Sequence, residues 1–122
     1  MRLVKLIERV TELRGQQYDT EILTGWVSEI EGQAVDEVIG RCDGGVTEIA
    51  PYDYNVDAER ELLIPDRFQD VYVNYVLAKM DLHNQETERY NNDVSAFNAA
   101  YDTFGKWFFR SHMPKAVYFS KF

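Results

Sequence analysis

Cysteine is almost missing from this chain: Cys42 is the only one in 122 residues. A lone thiol builds no disulfide framework and no cysteine metal site, and it suits a reducing compartment. Its simplest reading is an inert thiol at the end of a helix. Long apolar runs are also lacking. No stretch approaches the roughly 18 residues of a membrane span, so no membrane partner is expected. The opening MRLVKLIERV is interrupted by Arg2, Lys5 and Glu8, which does not read as a secretory signal. Positive charge is scarce, with 13 Lys and Arg against 21 Asp and Glu, a net charge of −8. A body this acidic repels duplex DNA rather than neutralising its phosphates. Catalytic signatures are lacking too. There is no G-x-S-x-G, CDGGV carries no phosphate-loop lysine, and His83 and His112 have no partner at metal-ligand spacing. No cofactor is expected.

What remains is an ordinary globular composition, 45% hydrophobic and 28% charged. A chain of this size buries roughly two-thirds of its unfolded surface, enough for one domain without a disulfide or metal. The charge is unevenly spread. Residues 1–83 hold 17 acids and 8 bases, whereas residues 84–122 hold 4 acids and 5 bases. From Gly105 onward there is no acid, only Lys106, Arg110, Lys115 and Lys121.

Helical periodicity dominates. Leu3, Leu6 or Ile7, Val10 and Leu13 recur at three and four over residues 3–14, and Gly15 follows as a stop. Asp19 is placed to cap a second helix of about twenty residues, with the stripe Leu23, Val27, Ile30, Ala34 and Val38. Gly25 and Gly32 lie inside it, either as points of close helix contact or as neutral positions. Residues 43–65 are irregular. There Val46–Ile49 and Glu61–Ile64 read either as short paired strands, a β-hairpin, or as an extended loop pinned by Leu62 and Ile64. Asp66 is placed to cap a third helix in which Phe68, Val71, Tyr75, Ala78 and Leu82 form one apolar stripe and Tyr72, Val76 and Met80 a second. Gln69, Asp70, Asn74 and Asp81 are its polar remainder. So wide an apolar surface means enclosure on several sides, by this domain or by another subunit.

A fourth helix is expected from about Glu86 to His112. Its residues Tyr90, Val94, Phe97, Tyr101, Phe104 and Phe108 are spaced four, three, four, three, four. The spacing predicts a long antiparallel hairpin with the third helix, the stripe serving as core. Phe109 falls on the opposite face, where solvent is expected. Beyond Pro114, KAVYFSKF reads as an extended C-terminal arm, residues 115–122. The fold class is therefore all-α: a single domain of about four helices, with a helical body over residues 1–114. The candidate protein-interface residues are Phe109 and, in the arm, Val117, Tyr118, Phe119 and Phe122.

The acids of the second helix allow a metal reading. Helical pyrophosphohydrolases bind magnesium through carboxylates on facing helices. Glu29, Asp36 and Glu37, with Asp70 or Asp81 opposite, would have to serve. The E-E-x-x-E pairing is missing and Gln33 occupies one helical-spacing position, so a solvated acidic face is the simpler account. A small helical regulatory module acting as a dimer is the other alternative.

Three segments carry a family likeness: LLIPDRFQDVYVNYVLAKMDL (Leu62–Leu82), ERYNNDVSAFNAAYDTF (Glu88–Phe104) and KWFFRSHMP (Lys106–Pro114). They resemble the head–tail connector, or adaptor, proteins of long-tailed bacteriophages and prophages. The first half agrees more loosely, through YDTEILTGWVSEIEGQAVDEVI. The likeness rests on helical aromatics and turns, not on a catalytic motif. It implies an all-helical subunit of a ring of about a dozen copies, located in the virion at the head–tail junction and in the host cytoplasm during assembly. Such a ring sits beneath the portal protein, continues the DNA channel without sequence-specific binding, and receives a tail or stopper protein. It implies no enzyme activity and no cofactor. On this view the acidic body lines a channel through which DNA slides, and the arm reaches onto a neighbour by adding a strand or seating its aromatics in grooves.

Overall fold

The structure is a computed structural model and describes residues 1–113. The arm residues Val117, Tyr118, Phe119 and Phe122 lie outside the described residues. The fold is all-α, with helices α1 (Leu3–Arg14), α2 (Thr20–Glu37), α3 (Tyr54–Asp57), α4 (Asp70–His83) and α5 (Thr87–Ser111). Short 3-10 turns at Ile39–Arg41 and Asp66–Phe68 lead out of α2 and into α4. Four of the five helices are those the periodicity predicts; α3 is a single turn inside the irregular segment, capped where Asp53 accepts from the Asn55 amide at 3.0 Å.

Helix α4 is the centre. Val71, Tyr72, Val73, Val76, Leu77, Ala78 and Met80 are all buried, and α1, α2 and α5 pack around it. Most of its apolar girth is thus consumed inside the domain; Tyr75 stays half-buried and Leu82 is exposed at 50%. Asp81, expected on the polar side, is instead buried. The two helix ends also differ from expectation. Asp66 opens the 3-10 turn rather than capping α4, which starts at Asp70 without a side-chain cap. Asp19 stands at the start of α2, but it is its backbone carbonyl that accepts, from Ile22 and Leu23. At Gly25 and Gly32 an added Cβ would meet open space, so neither marks close helix contact.

No strand forms among the described residues, so Val46–Ile49 and Glu61–Ile64 do not pair. The second segment is used elsewhere. The first turn of a helix has amides without intrahelical acceptors. In α1, the Leu3 amide donates to the Arg60 carbonyl at 3.0 Å and the Val4 amide to Ala58 at 2.8 Å. An isolated antiparallel bridge joins Arg2 to Glu61. The loop is indeed pinned by Leu62 and Ile64, both buried.

It is also pinned by a polar knot. The Glu31 carboxylate, fully buried on α2, accepts from the Tyr52 hydroxyl at 2.8 Å, the Leu63 amide at 3.0 Å and the Tyr72 hydroxyl at 2.5 Å. The Tyr72 oxygen accepts in turn from the Ile64 amide at 2.9 Å. One carboxylate thereby ties α2, α4 and the loop together. Burial, reinforced by Glu31, pushes both tyrosine hydroxyls well above their ordinary range.

Candidate functional site

The α4–α5 hairpin is antiparallel and closely packed, as the spacing predicts. The aromatic stripe of α5, however, is core over only half its length. Phe104 and Phe108 are buried; Tyr90, Val94, Phe97 and Tyr101 are half-buried. The difference lies in what each half of α5 meets. The end of α2 touches α5 where the Tyr101 hydroxyl donates to Glu37 at 2.7 Å, and Val38 just beyond it lies close to Gly105, while Phe68, Trp107 and His112 pack around Phe104 and Phe108. Toward its N-terminus α5 has α4 beside it, and the apolar stripe stays open.

The result is a groove of about 290 Å³ between the two helices, lined by Tyr75, Ala78, Leu82, Tyr90, Val94 and Phe97, with Lys79 and Asn98 at its rim. Aromatic contacts order its floor. Phe97 lies 5.5 Å from Tyr75 and 5.4 Å from Tyr101, stacked on the latter at 19°. The Lys79 ammonium sits over the Tyr75 ring at 5.5 Å and pairs with Glu29 at 3.4 Å. Burial, with Glu29 as acceptor, pushes the Tyr75 hydroxyl up to about 12. A wall that is apolar within and carries a few fixed polar groups at its edge is suited to receiving another protein surface.

Phe109 is exposed at 38%, on the outer face of α5 as expected. It lies twelve positions beyond Phe97 in the sequence, about 18 Å along the helix axis, so the two do not form one patch. Around it the end of α5 is built of stacked rings: His112 on Phe108 at 3.8 Å and 6°, and Trp107 beneath the Arg67 guanidinium at 4.6 Å.

The acids proposed for a metal site do not converge. Glu29 is bound to Lys79 and Tyr75, Glu37 to Tyr101, and Asp81 to Arg14 on the far side of α4. Among the described residues no three His, Cys, Asp or Glu side chains are grouped to hold an ion. The histidines pack as rings: His83 stacks on Trp26 at 5.5 Å and 14°. Cys42 is buried in the core cluster.

A third arrangement escapes sequence reasoning. Arg14, at the end of α1, meets Asp81 of α4 at 3.1 Å and Asp93 of α5 at 3.3 Å. Both acids are buried, and Asp93 Oδ2 has no partner. Burial, then the neighbouring Asp81, pushes the Asp93 carboxyl up to about 7, while Arg14 and Arg89 pull it down. Burial opposes ionisation of Asp81 as well, but the neighbouring Asp93 and the Arg14 guanidinium hold its carboxyl below the usual range. The pair favours one shared proton. The sequence signal was available: Asp81 follows Met80 inside the buried arc of α4, and Arg14 is the basic residue ending α1. Its bonding partner could not be read from either.

No helix is long and apolar enough to cross a membrane among the described residues. No family model, curated protein or solved structure matches the chain.

Proposed function

We propose that this protein is a structural adaptor of a phage or prophage head–tail junction, whose copies form a ring of about a dozen beneath the portal protein. The ring would extend the DNA channel and dock a tail or stopper protein, without catalysis and without a cofactor. Two things support this reading: the likeness of the three segments from Leu62 to Pro114, and the open aromatic groove. The groove carries it. A regular three–four stripe on α5 is left half uncovered at Tyr90, Val94 and Phe97, with Leu82 of α4 exposed beside it, and a neighbouring copy would cover it. The apolar surplus available for a ring contact thus lies in the seam between α4 and α5. The net charge of −8 suits a channel wall from which DNA slides freely.

The test is electron microscopy of the protein with its portal. A ring stacked under the portal, with the groove at the contact between copies, is the expected image. A stable dimer that ignores the portal would point to the regulatory module. Magnesium-dependent turnover of nucleotides would point to the hydrolase. Removing residues 115–122 should weaken assembly or docking while circular dichroism shows the helices intact; a truncated chain that fails to fold would make the arm part of the core.

A further inference from the structure

A second surface is built for a different occupant. From Gly45 to Asp53 the chain runs without turn or bend, and Val46, Thr47, Glu48 and Ala50 are exposed. Among the described residues no hydrogen bond reaches the backbone N–H or C=O groups of Val46 through Ala50. An exposed row of this kind is a template for an added strand. Pro51, which has no N–H, closes the row. Between the row and α2 lies an open cleft of about 610 Å³, walled by Gly32, Val35 and Asp36 on one side and Thr47, Glu48 and Ile49 on the other. Gly32 costs the helix about 1 kcal/mol relative to alanine and packs against nothing, so its effect is to keep that wall low.

The chemistry of the cleft selects its occupant. A strand entering it must be extended, must supply main-chain partners, and is favoured by positive charge near Asp36 and Glu48. The acid-free segment Lys115–Phe122, with Lys115 and Lys121 bracketing Val117, Tyr118 and Phe119, has that composition. We infer that the row Val46–Ala50 receives residues 115–122 of a second copy of this chain as an added strand. The described chain ends beside Asp43, ahead of the row. The Asp43 amide donates to the Met113 carbonyl at 2.9 Å, which holds the end of α5 beside Asp43. Between Asp43 and Val46 the chain turns: the Gly45 amide donates to Cys42 at 3.0 Å and Gly44 has a φ of 76°. That turn separates Asp43 from the row Val46–Ala50. Residues 114–122 can span roughly 30 Å and the row about 16 Å, so an arm has length to spare to reach a neighbour. The inference rests on the ring reading only in taking copies to be adjacent.

The test uses two full-length variants: the edge variant Asp36→Lys with Glu48→Lys, and the arm variant Lys115→Glu with Lys121→Glu. Sedimentation measures association, and hydrogen exchange follows the amides of Thr47 to Ala50. Each variant alone should associate about tenfold more weakly than the parent chain, two ion pairs having turned repulsive, and should lose slow exchange at Thr47–Ala50. An equal mixture of the two should regain both properties. Amides that exchange freely at every concentration of the parent chain would overturn the inference, and so would a mixture that restores nothing. A chain carrying all four changes that protects these amides while monomeric would assign the arm to its own cleft and overturn it too. A ring formed on the portal with these amides freely exchanging would sink this inference alone and leave the neck reading standing.

Discussion

Replacing Glu31 by glutamine should destabilise the fold although the change removes a buried charge. The carboxylate serves three donors, with Tyr52 and Leu63 on one oxygen and Tyr72 on the other. An amide of the same shape offers one oxygen and one NH2. The NH2 group settles toward Tyr72, since the opposite orientation would strand two donors instead of one. Tyr72 can accept from that NH2 as well as from Ile64, but its own proton is then orphaned, which costs about 1–3 kcal/mol. The two remaining bonds pass from charged to neutral acceptors and weaken by roughly 1 kcal/mol each. Relief from burying the charge offsets part of this. A net loss of about 2–3 kcal/mol, or a fall of about 8–12 °C in Tm, is expected for a chain of this size. Glu31→Leu strands all three donors and should lose about 3–5 kcal/mol. Urea unfolding followed at 222 nm checks both values, and exchange at the Leu63 amide should quicken in step. If the leucine variant is as stable as the parent chain, desolvation of the carboxylate outweighs its bonds and the reasoning fails.

The Asp93 carboxyl gives a pH dependence of definite sign. Its folded pKa is raised from 3.8 to about 7, so the folded state binds the extra proton between those values. Stability should therefore fall as pH rises from about 4 to about 7, and Asp93→Asn should flatten that slope in urea titrations across the range. An unchanged slope would show that Asp93 ionises normally. Asp81 acts in the opposite sense, and its contribution is lost as pH drops through its lowered pKa. Gly45→Ala should cost about 2–3 kcal/mol, because its Cβ would press on the Ile39 carbonyl oxygen; Gly25→Ala, facing open space, should instead gain up to about 1 kcal/mol, and thermal melts separate the two. Phe97→Glu should leave the monomer's helicity unchanged and abolish ring formation on the portal, scored by negative-stain images; rings that persist would remove the groove from the interface.

Periodicity alone determined the helices. Apolar residues at three and four, broken by Gly15, the 43–65 segment and the His83–Gln85 break, set four long helices within a few residues of their ends, because backbone hydrogen bonding in a helix is local and its burial pattern repeats in the chain. The hairpin of α4 and α5 and the exposed position of Phe109 follow from the same repeat. What the repeat could not decide is how much of each stripe a neighbour reaches. Tyr90, Val94 and Phe97 look in sequence like Phe104 and Phe108, yet only the latter are buried, because Phe68, Trp107 and His112 close over that end of α5. Nor could it find Glu31, although that carboxylate stands four after Val27 and three before Ala34 on the buried side of α2. Its three donors come from positions 21, 32 and 41 residues away. The same holds for Arg14 with Asp81 and Asp93, and for the carbonyls of Ala58 and Arg60 that take α1's amides in place of a hairpin. A buried polar group is stable only beside its partners, and which partners arrive is settled by the packing of distant segments.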